Sequence, residues 1–192
     1  MNRREKTGFT LAELLIVVTI IAILVAIAIP IFNRLLERSR EAYDIYTMRQ
    51  AASAAQNVYY KGVYDKMSAE KAGFKWWDVN GDNKDNDNAS GVYVPGNGTF
   101  QPKSSKDKSL KPYGKGTALN GGTVYTLGNT RGAYSAKEDY TKAAVLVSIF
   151  PYGEQPHIDV YWKEVGGGGT FVGGKNGNNG DEAKYSIRIY IN

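Results

Sequence analysis

The hydrophobic pattern of this chain is dominated by one apolar run near the N-terminus, residues 9–32. Between Leu14 and Ile29 the run carries no charge, and its only polar residue is Thr19. A helix over residues 9–29 rises about 30 Å, roughly the thickness of the hydrocarbon core of a bilayer. Because backbone groups in lipid must be hydrogen-bonded within their own segment, the run is predicted to be a membrane-spanning helix.

After the apolar run the pattern becomes that of an amphipathic helix. Pro30 lies inside the helical pattern, lacks a backbone N–H and is predicted to kink the helix. Beyond Asn33, apolar residues recur at helical spacing and so share one face: Ile45, Met48, Ala52, Ala55 and Tyr59. Glycine suits the position after a helix C-terminus, so the helix is predicted to end near Lys61-Gly62.

Five later segments have the composition of β-strands: residues 91–94, 123–127, 142–150, 157–162 and 185–191. The late strands have short connections, which favours antiparallel pairing. Two glycine-rich segments, 166–169 and 173–180, are predicted to share one long exposed hairpin, and residues 104–122 a surface loop.

These elements predict an α+β fold in which a long N-terminal α-helix packs on an antiparallel β-sheet head. The predicted division has four parts. Residues 1–8 are a leader peptide, 9–32 a hydrophobic helix, 33–62 an amphipathic helix that packs on the head, and 63–192 a β-rich head with long loops.

Composition and charge narrow the function. The 192 residues carry a formal charge of +5. Three basic residues and one acidic residue among the first eight (Arg3, Arg4, Lys6 and Glu5) contribute 3 − 1 = +2, which leaves +3 for the rest. That charge is too mild to indicate a specific nucleic-acid partner. The basic residues before the apolar run place the N-terminus on the cytoplasmic side of a membrane.

The sequence shows no constellation typical of an enzyme. His157 is the only histidine, there is no cysteine, and the glycines at 166–169 are not followed by the Lys and Ser/Thr of a phosphate-binding loop. The protein is therefore predicted not to be an enzyme and to require no cofactor.

One segment has partial metal-ligand spacing. Asp78, Asn80 and Asp82 place carboxylate and amide oxygens at alternate positions, as the first half of a calcium loop requires. The second half departs from the pattern, with Asn83 at the sixth position and Ala89 at the twelfth. The segment is either an irregular calcium site or a polar turn.

Glu13 is the lone charge inside the apolar run. A carboxylate in lipid costs about 3 kcal/mol on insertion scales, so its presence indicates a function. Cleavage after Gly8 would leave a new ammonium on Phe9, four residues before Glu13 and on the same helix face. In an assembly Glu13 could meet a neighbour's ammonium instead, an attraction of about 4 kcal/mol at 4 Å and an effective dielectric near 20.

Residues 1–30, MNRREKTG followed by FTLAELLIVVTIIAILVAIAIP, resemble the leader and mature N-terminus of type IV prepilins. The resemblance implies cleavage after Gly8 by a prepilin peptidase and N-methylation of Phe9. It implies that Glu13 recruits and registers subunits as they polymerise through the hydrophobic helix. It also implies a pilus assembly platform as partner, a helical homo-oligomer as product, a single-pass membrane protein before assembly and an extracellular pilus afterwards.

The resemblance leaves the role of the protein open. A pilus subunit would serve adhesion, twitching motility or aggregation, and the lack of cysteine suits a major pilin of a Gram-positive or anaerobic bacterium. A pseudopilin of a type II secretion system is the alternative. A membrane-tethered binding protein that never polymerises is a third hypothesis.

The charges between Arg34 and Glu41 also have two interpretations. They form either a solvated helix face with weak local pairs or a set of ion pairs between filament subunits.

Overall fold

The structure is a computed structural model that describes residues 8–78, 87–119, 124–126, 132–166, 169–177 and 182–191. The chain forms two compact units, the first ending at Leu36 and the second beginning at Glu37. Helix α1 spans Leu11–Tyr60, as the hydrophobic pattern predicts. It continues through Pro30 without a break, and the kink at Pro30 stays a prediction.

In the first unit, α1 is apolar on every side. The large side chains from Leu14 to Phe32 are exposed, Leu14 by 61% and Phe32 by 65%. Its most apolar stretch has a mean hydropathy of 3.3 over 18 residues and no buried residue. Among the described residues this is the one helix long and apolar enough to cross a bilayer. A helix that is apolar all round requires lipid or other protein around it.

In the second unit, α1 buries the face that the sequence predicts. Ile45, Met48, Ala52 and Ala55 lie in the core, and Tyr59 packs against it. The helix ends at Tyr60. Gly62 follows with a φ of 98°, a conformation that L side chains rarely adopt, and its N–H donates to the carbonyl of Tyr59 at 2.8 Å.

A short helix and eight strands follow α1. The helix α2 spans Lys66–Lys71 and is capped by Asp65, whose carboxylate accepts from the N–H of Ser68. The strands are β1 (Lys75–Trp77), β2 (Asn88–Val94), β3 (Thr99–Gln101), β4 (Val124–Thr126), β5 (Gly132–Ser135), β6 (Ala143–Phe150), β7 (His157–Glu164) and β8 (Ser186–Tyr190).

Six strands form one antiparallel sheet in the order β1-β2-β6-β7-β8, with β3 paired to β2. The strands β4 and β5 form a separate antiparallel pair. All five predicted strands are present, and the predicted α+β fold with an antiparallel sheet is confirmed. The sequence did not indicate β1, β3 and β5, because three or four residues are too few to show an alternating pattern.

The sheet has two distinct faces. Along β6, Ala143, Val145, Val147 and Ile149 join the core cluster that also contains the buried residues of α1. Successive strand residues point to opposite faces, so the intervening residues of β6 face away from α1. Ala144 and Leu146 among them form a smaller apolar cluster with Val92. Further along β6, Ser148 and Phe150 continue this second face.

Candidate functional site

The first turn of α1 is closed by hydrogen bonds between Thr10 and Glu13. The N–H and the Oγ1–H of Thr10 both donate to Oε2 of Glu13 at 2.8 Å. The N–H of Glu13 donates back to Oγ1 of Thr10 at 3.2 Å. This reciprocal pair is a capping box, which provides partners for donors that the start of every helix leaves unpaired.

The capping box leaves part of Glu13 available. Oε2 accepts both bonds from Thr10, and among the described residues no donor reaches Oε1. A carboxylate offers about four acceptor positions, so Glu13 can hold the helix start and still accept a cation. The T-x-x-E spacing of Thr10 and Glu13 indicates this cap in the sequence, independently of the charge of Glu13.

Gly8 and Phe9 precede the helix and are exposed, Phe9 by 88%. A Cβ at Gly8 would meet no atom within 4 Å, so packing within the described chain does not require glycine there. The peptide bond between Gly8 and Phe9 therefore lies in accessible, non-helical chain, which favours proteolysis.

Three carboxylates on the second half of α1 are buried. Glu37 and Asp44 are 0% exposed and Glu41 is 2% exposed. They occur at helical spacing and continue the apolar face of α1 towards its N-terminus. A solvated face and ion pairs between subunits are therefore wrong for Glu37 and Glu41. One predicted local pair is present, because Nη1 of Arg40 lies 3.2 Å from Oε2 of Glu37.

The segment 113–117 supplies partners for two of these carboxylates. Asp44 accepts from the N–H of Lys115 at 2.9 Å, from the N–H of Gly116 at 2.8 Å and from the Tyr134 hydroxyl at 3.2 Å. Glu37 accepts from the N–H of Thr117, and from the Thr117 hydroxyl at 2.8 Å. The prediction of a surface loop over 104–122 is thus wrong for Gly116, which is buried because its backbone N–H bonds the helix.

Burial shifts the titration of Asp44. Desolvation of the carboxylate raises the pKa of Asp44 to about 6, and the bonds from Gly116, Lys115 and Tyr134 offset part of that rise. Desolvation likewise raises the pKa of the Tyr134 hydroxyl well above its usual value. The buried carboxylates of Glu37 and Asp44 therefore have a structural role, because their hydrogen bonds hold the segment 113–117 against α1.

The predicted calcium ligands are only partly within the described chain. Asp78 follows β1 and is exposed, whereas Asn80 and Asp82 lie outside the described residues. Within the described ranges, no group of three or more His, Cys, Asp or Glu side chains could hold a metal ion. The calcium site stays a prediction.

Comparison with known proteins gives one match. Residues 3–29 match the family model of the prokaryotic N-terminal methylation motif, the class III leader of type IV pilins. No curated protein and no solved structure matches the chain.

The match covers the leader, the capped helix start and most of the apolar helix. Together with the long helix on an antiparallel sheet, it supports a prepilin of the type IV pilin or pseudopilin kind. Proteins with this leader are structural subunits rather than a class of enzymes. The leader and its apolar helix also fit anchoring in a membrane.

Proposed function

We propose that the protein is the structural subunit of a type IV pilus. It is inserted in the membrane as a prepilin, cleaved after Gly8, N-methylated at Phe9 and polymerised through the hydrophobic helix over residues 9–32. Its activity is assembly rather than catalysis, and the assembled filament is extracellular. The filament serves adhesion, motility or aggregation, since one scaffold supports each of these roles.

The main support for the proposal is the hydrogen bonding of Glu13 at the start of α1. The capping box fixes the first turn directly after Phe9, so the ammonium created by cleavage would lie at a defined place beside that turn. Oε1 of Glu13 offers that ammonium, or a neighbour's, an acceptor. An attraction of about 4 kcal/mol between such charges is comparable to the cost of about 3 kcal/mol for a carboxylate in lipid.

The exposed apolar surface of α1 supports the same proposal. From Leu14 to Phe32 the helix has large apolar side chains on every side, and its most apolar stretch contains no buried residue. Lipid covers this surface before assembly, and the same helices of neighbouring subunits cover it in the filament. A repeated head-to-tail contact of this kind generates a helical filament.

Two substitutions at one position separate the charge of Glu13 from its role as a cap. Glu13→Gln keeps an acceptor at the third helical position, where glutamine also completes a capping box, and removes the charge. Glu13→Ala removes both. We expect both variants to insert in the membrane and be cleaved but to give no filaments in the sheared fraction. Normal filaments from Glu13→Gln would contradict the proposed role of the charge.

A pseudopilin of a type II secretion system is the second candidate. Gly8, Phe9 and Glu13 would serve it in the same way, and the lack of cysteine suits it equally. The two candidates differ in where the processed chain is found. A pilus subunit is released from the cell surface by shear, whereas a pseudopilin remains with the cell envelope.

A further inference from the structure

A basic groove of about 890 Å³ lies on the second face of the sheet, the face turned away from α1. Its lining includes Leu146, Ser148 and Phe150 of β6, which alternate with the core residues of that strand. Its volume falls within the range of about 300–1,000 Å³ that is typical of ligand-binding clefts. The groove lies wholly within the second unit of the chain.

The floor of the groove is a row of linked hydroxyl groups across three strands. The hydroxyls of Ser90 and Ser148 are 2.8 Å apart, and those of Ser148 and Tyr161 are 2.9 Å apart. Ser90 also donates to Oδ1 of Asn88 at 2.8 Å. This face of the sheet therefore presents neutral donors and acceptors, as the solvated face of an antiparallel sheet commonly does.

The rim of the groove is positively charged. Five lysines are among its lining residues: Lys75, Lys103, Lys106, Lys163 and Lys175. None of the described lining residues is acidic. The nearby carboxylate of Glu164 accepts from the Thr170 hydroxyl at 2.7 Å, so it is directed to a neutral donor. The carboxylates of Asp159 and Glu182 line an adjoining cavity, and both accept hydrogen bonds from Arg188.

Three aromatic rings that line the groove each contact a cation or another ring. Nζ of Lys75 lies 4.1 Å from the ring centroid of Trp77, and Nζ of Lys163 lies 4.5 Å from that of Phe171. Phe150 stacks on His157 with 4.6 Å between ring centroids. Binding of single-stranded nucleic acid uses open ring faces on which bases stack. Here each of the three rings has a cation or another ring on one face, and Trp77 remains 44% exposed. The lining therefore favours a ligand rich in hydroxyls and carboxylates over one made of bases.

From this geometry we infer that the groove binds an acidic polysaccharide. Its carboxylates meet the ammonium groups of the rim, and its sugar hydroxyls exchange hydrogen bonds with the floor formed by Ser90, Ser148 and Tyr161. The binding needs no metal ion and no covalent step. It is independent of the proposed pilus function, because the groove belongs to the head and Glu13 has no part in it.

The test measures binding of the full chain in detergent micelles to fluorescein-labelled polygalacturonate, by fluorescence anisotropy. Neutral dextran and a thymidine oligonucleotide of equal charge are the comparison ligands. We expect polygalacturonate to bind, dextran not to bind, and the oligonucleotide to bind more weakly. Tighter binding of the oligonucleotide, or equal binding of dextran, would overturn the inference, and so would no binding of polygalacturonate at low salt.

Matched lysine variants test the location of the site. A triple variant, Lys75→Gln with Lys103→Gln and Lys106→Gln, is expected to bind polygalacturonate about tenfold more weakly. The control triple has the same change of charge away from the groove: Lys61→Gln, Lys66→Gln and Lys137→Gln. Equal losses in both triples would show general charge attraction and would reject the groove.

A substitution in the floor of the groove tests the role of the hydroxyl row. Ser148→Ala removes the central hydroxyl of the row and leaves the charge unchanged, so weaker binding of polygalacturonate by this variant supports the inference. Unchanged binding by Ser148→Ala would contradict the role of the floor. An unaltered near-UV circular dichroism spectrum establishes that each variant retains its fold.

Discussion

The buried carboxylate of Asp44 accepts a hydrogen bond of 2.8 Å from the backbone N–H of Gly116, and the position of Gly116 has no room for a larger residue. A Cβ there would lie 2.2 Å from the Tyr134 hydroxyl oxygen and 3.2 Å from Oδ2 of Asp44. Tyr134 cannot easily withdraw, because it is 0% exposed and stacks on Tyr140 with 4.1 Å between ring centroids. The contact thus fixes the segment 113–117 to α1.

Gly116→Ala is therefore expected to destabilise the head. Overpacking at a rigid contact costs about 2 kcal/mol, or roughly 6 °C in Tm for a unit of this size. Thermal unfolding of the full chain, followed by tryptophan fluorescence, measures the effect. Gly177→Ala is the matched control, because a Cβ at Gly177 meets no atom within 4 Å. Equal Tm values for the two variants would contradict the packing argument.

The raised pKa of Asp44 predicts how stability depends on pH. The folded pKa is about 6 and the ordinary value is 3.8, so the folded state binds more protons between these two values. The contribution of Asp44 to the free energy of unfolding therefore falls as pH rises from about 4 to about 6, by on the order of 2 kcal/mol. Urea unfolding of wild type and Asp44→Asn at pH 4.5, 5.5 and 7 isolates this contribution as the difference between the two pH profiles.

Asp65 provides a control of opposite sign. Its hydrogen bonds from Ser68 hold the pKa of the Asp65 carboxyl below its usual value. The contribution of Asp65 is therefore present above the ordinary pKa of 3.8 and lost as pH falls below it, so Asp65→Asn should weaken the head more at pH 7 than at pH 2.5. For Asp44 itself, parallel pH profiles of wild type and Asp44→Asn would contradict the prediction. They would show that the Asp44 carboxyl has the same pKa in the folded and the unfolded chain.

Thr117→Val tests the second carboxylate of the cluster. The variant keeps the shape of the side chain and removes the hydroxyl that donates to Oε2 of Glu37 at 2.8 Å. Loss of one bond to a buried carboxylate is expected to cost about 1.5 kcal/mol. Thr141→Val is the control, because its hydroxyl bonds the exposed Asp139 at 2.7 Å. A larger loss of stability in Thr141→Val would contradict the assignment.

Thr10→Val tests the capping box at the start of α1. Valine cannot accept from the N–H of Glu13 or donate to its carboxylate, whereas serine can do both. We expect Thr10→Val to lower the yield of sheared filaments and Thr10→Ser to keep it near wild type, with cleavage after Gly8 unchanged in both. Immunoblots of the sheared and membrane fractions give the yields. Equal yields would show that the cap does not contribute to assembly.

The sequence indicates the helix and the main strands of this protein, but not the long-range contacts that hold the head against α1. The apolar run, the stripe from Ile45 to Tyr59 and the glycine at 62 all follow from local periodicity and cap chemistry, and the structure agrees with them. Glu37 is different. Its burial depends on Thr117, a residue 80 positions away, and no local pattern indicates such a contact.

The same limit applies to the basic groove. The hydroxyls of Ser90, Ser148 and Tyr161 come from three strands, and only the register of β2, β6 and β7 brings them into one row. Spacing along a single strand cannot predict that row. The site at Glu13 was accessible from the sequence because Gly8, Phe9, Thr10 and Glu13 lie within six consecutive residues.

Cleavage after Gly8 and assembly into a surface filament can both be read from the N-terminal peptide of the protein. We would identify this peptide by mass spectrometry in sheared filaments and in membranes. We expect a singly methylated peptide beginning at Phe9 in the sheared fraction. The same peptide found only in membranes would favour the pseudopilin, and an intact Met1 terminus in both fractions would show that the chain is neither cleaved nor assembled as proposed.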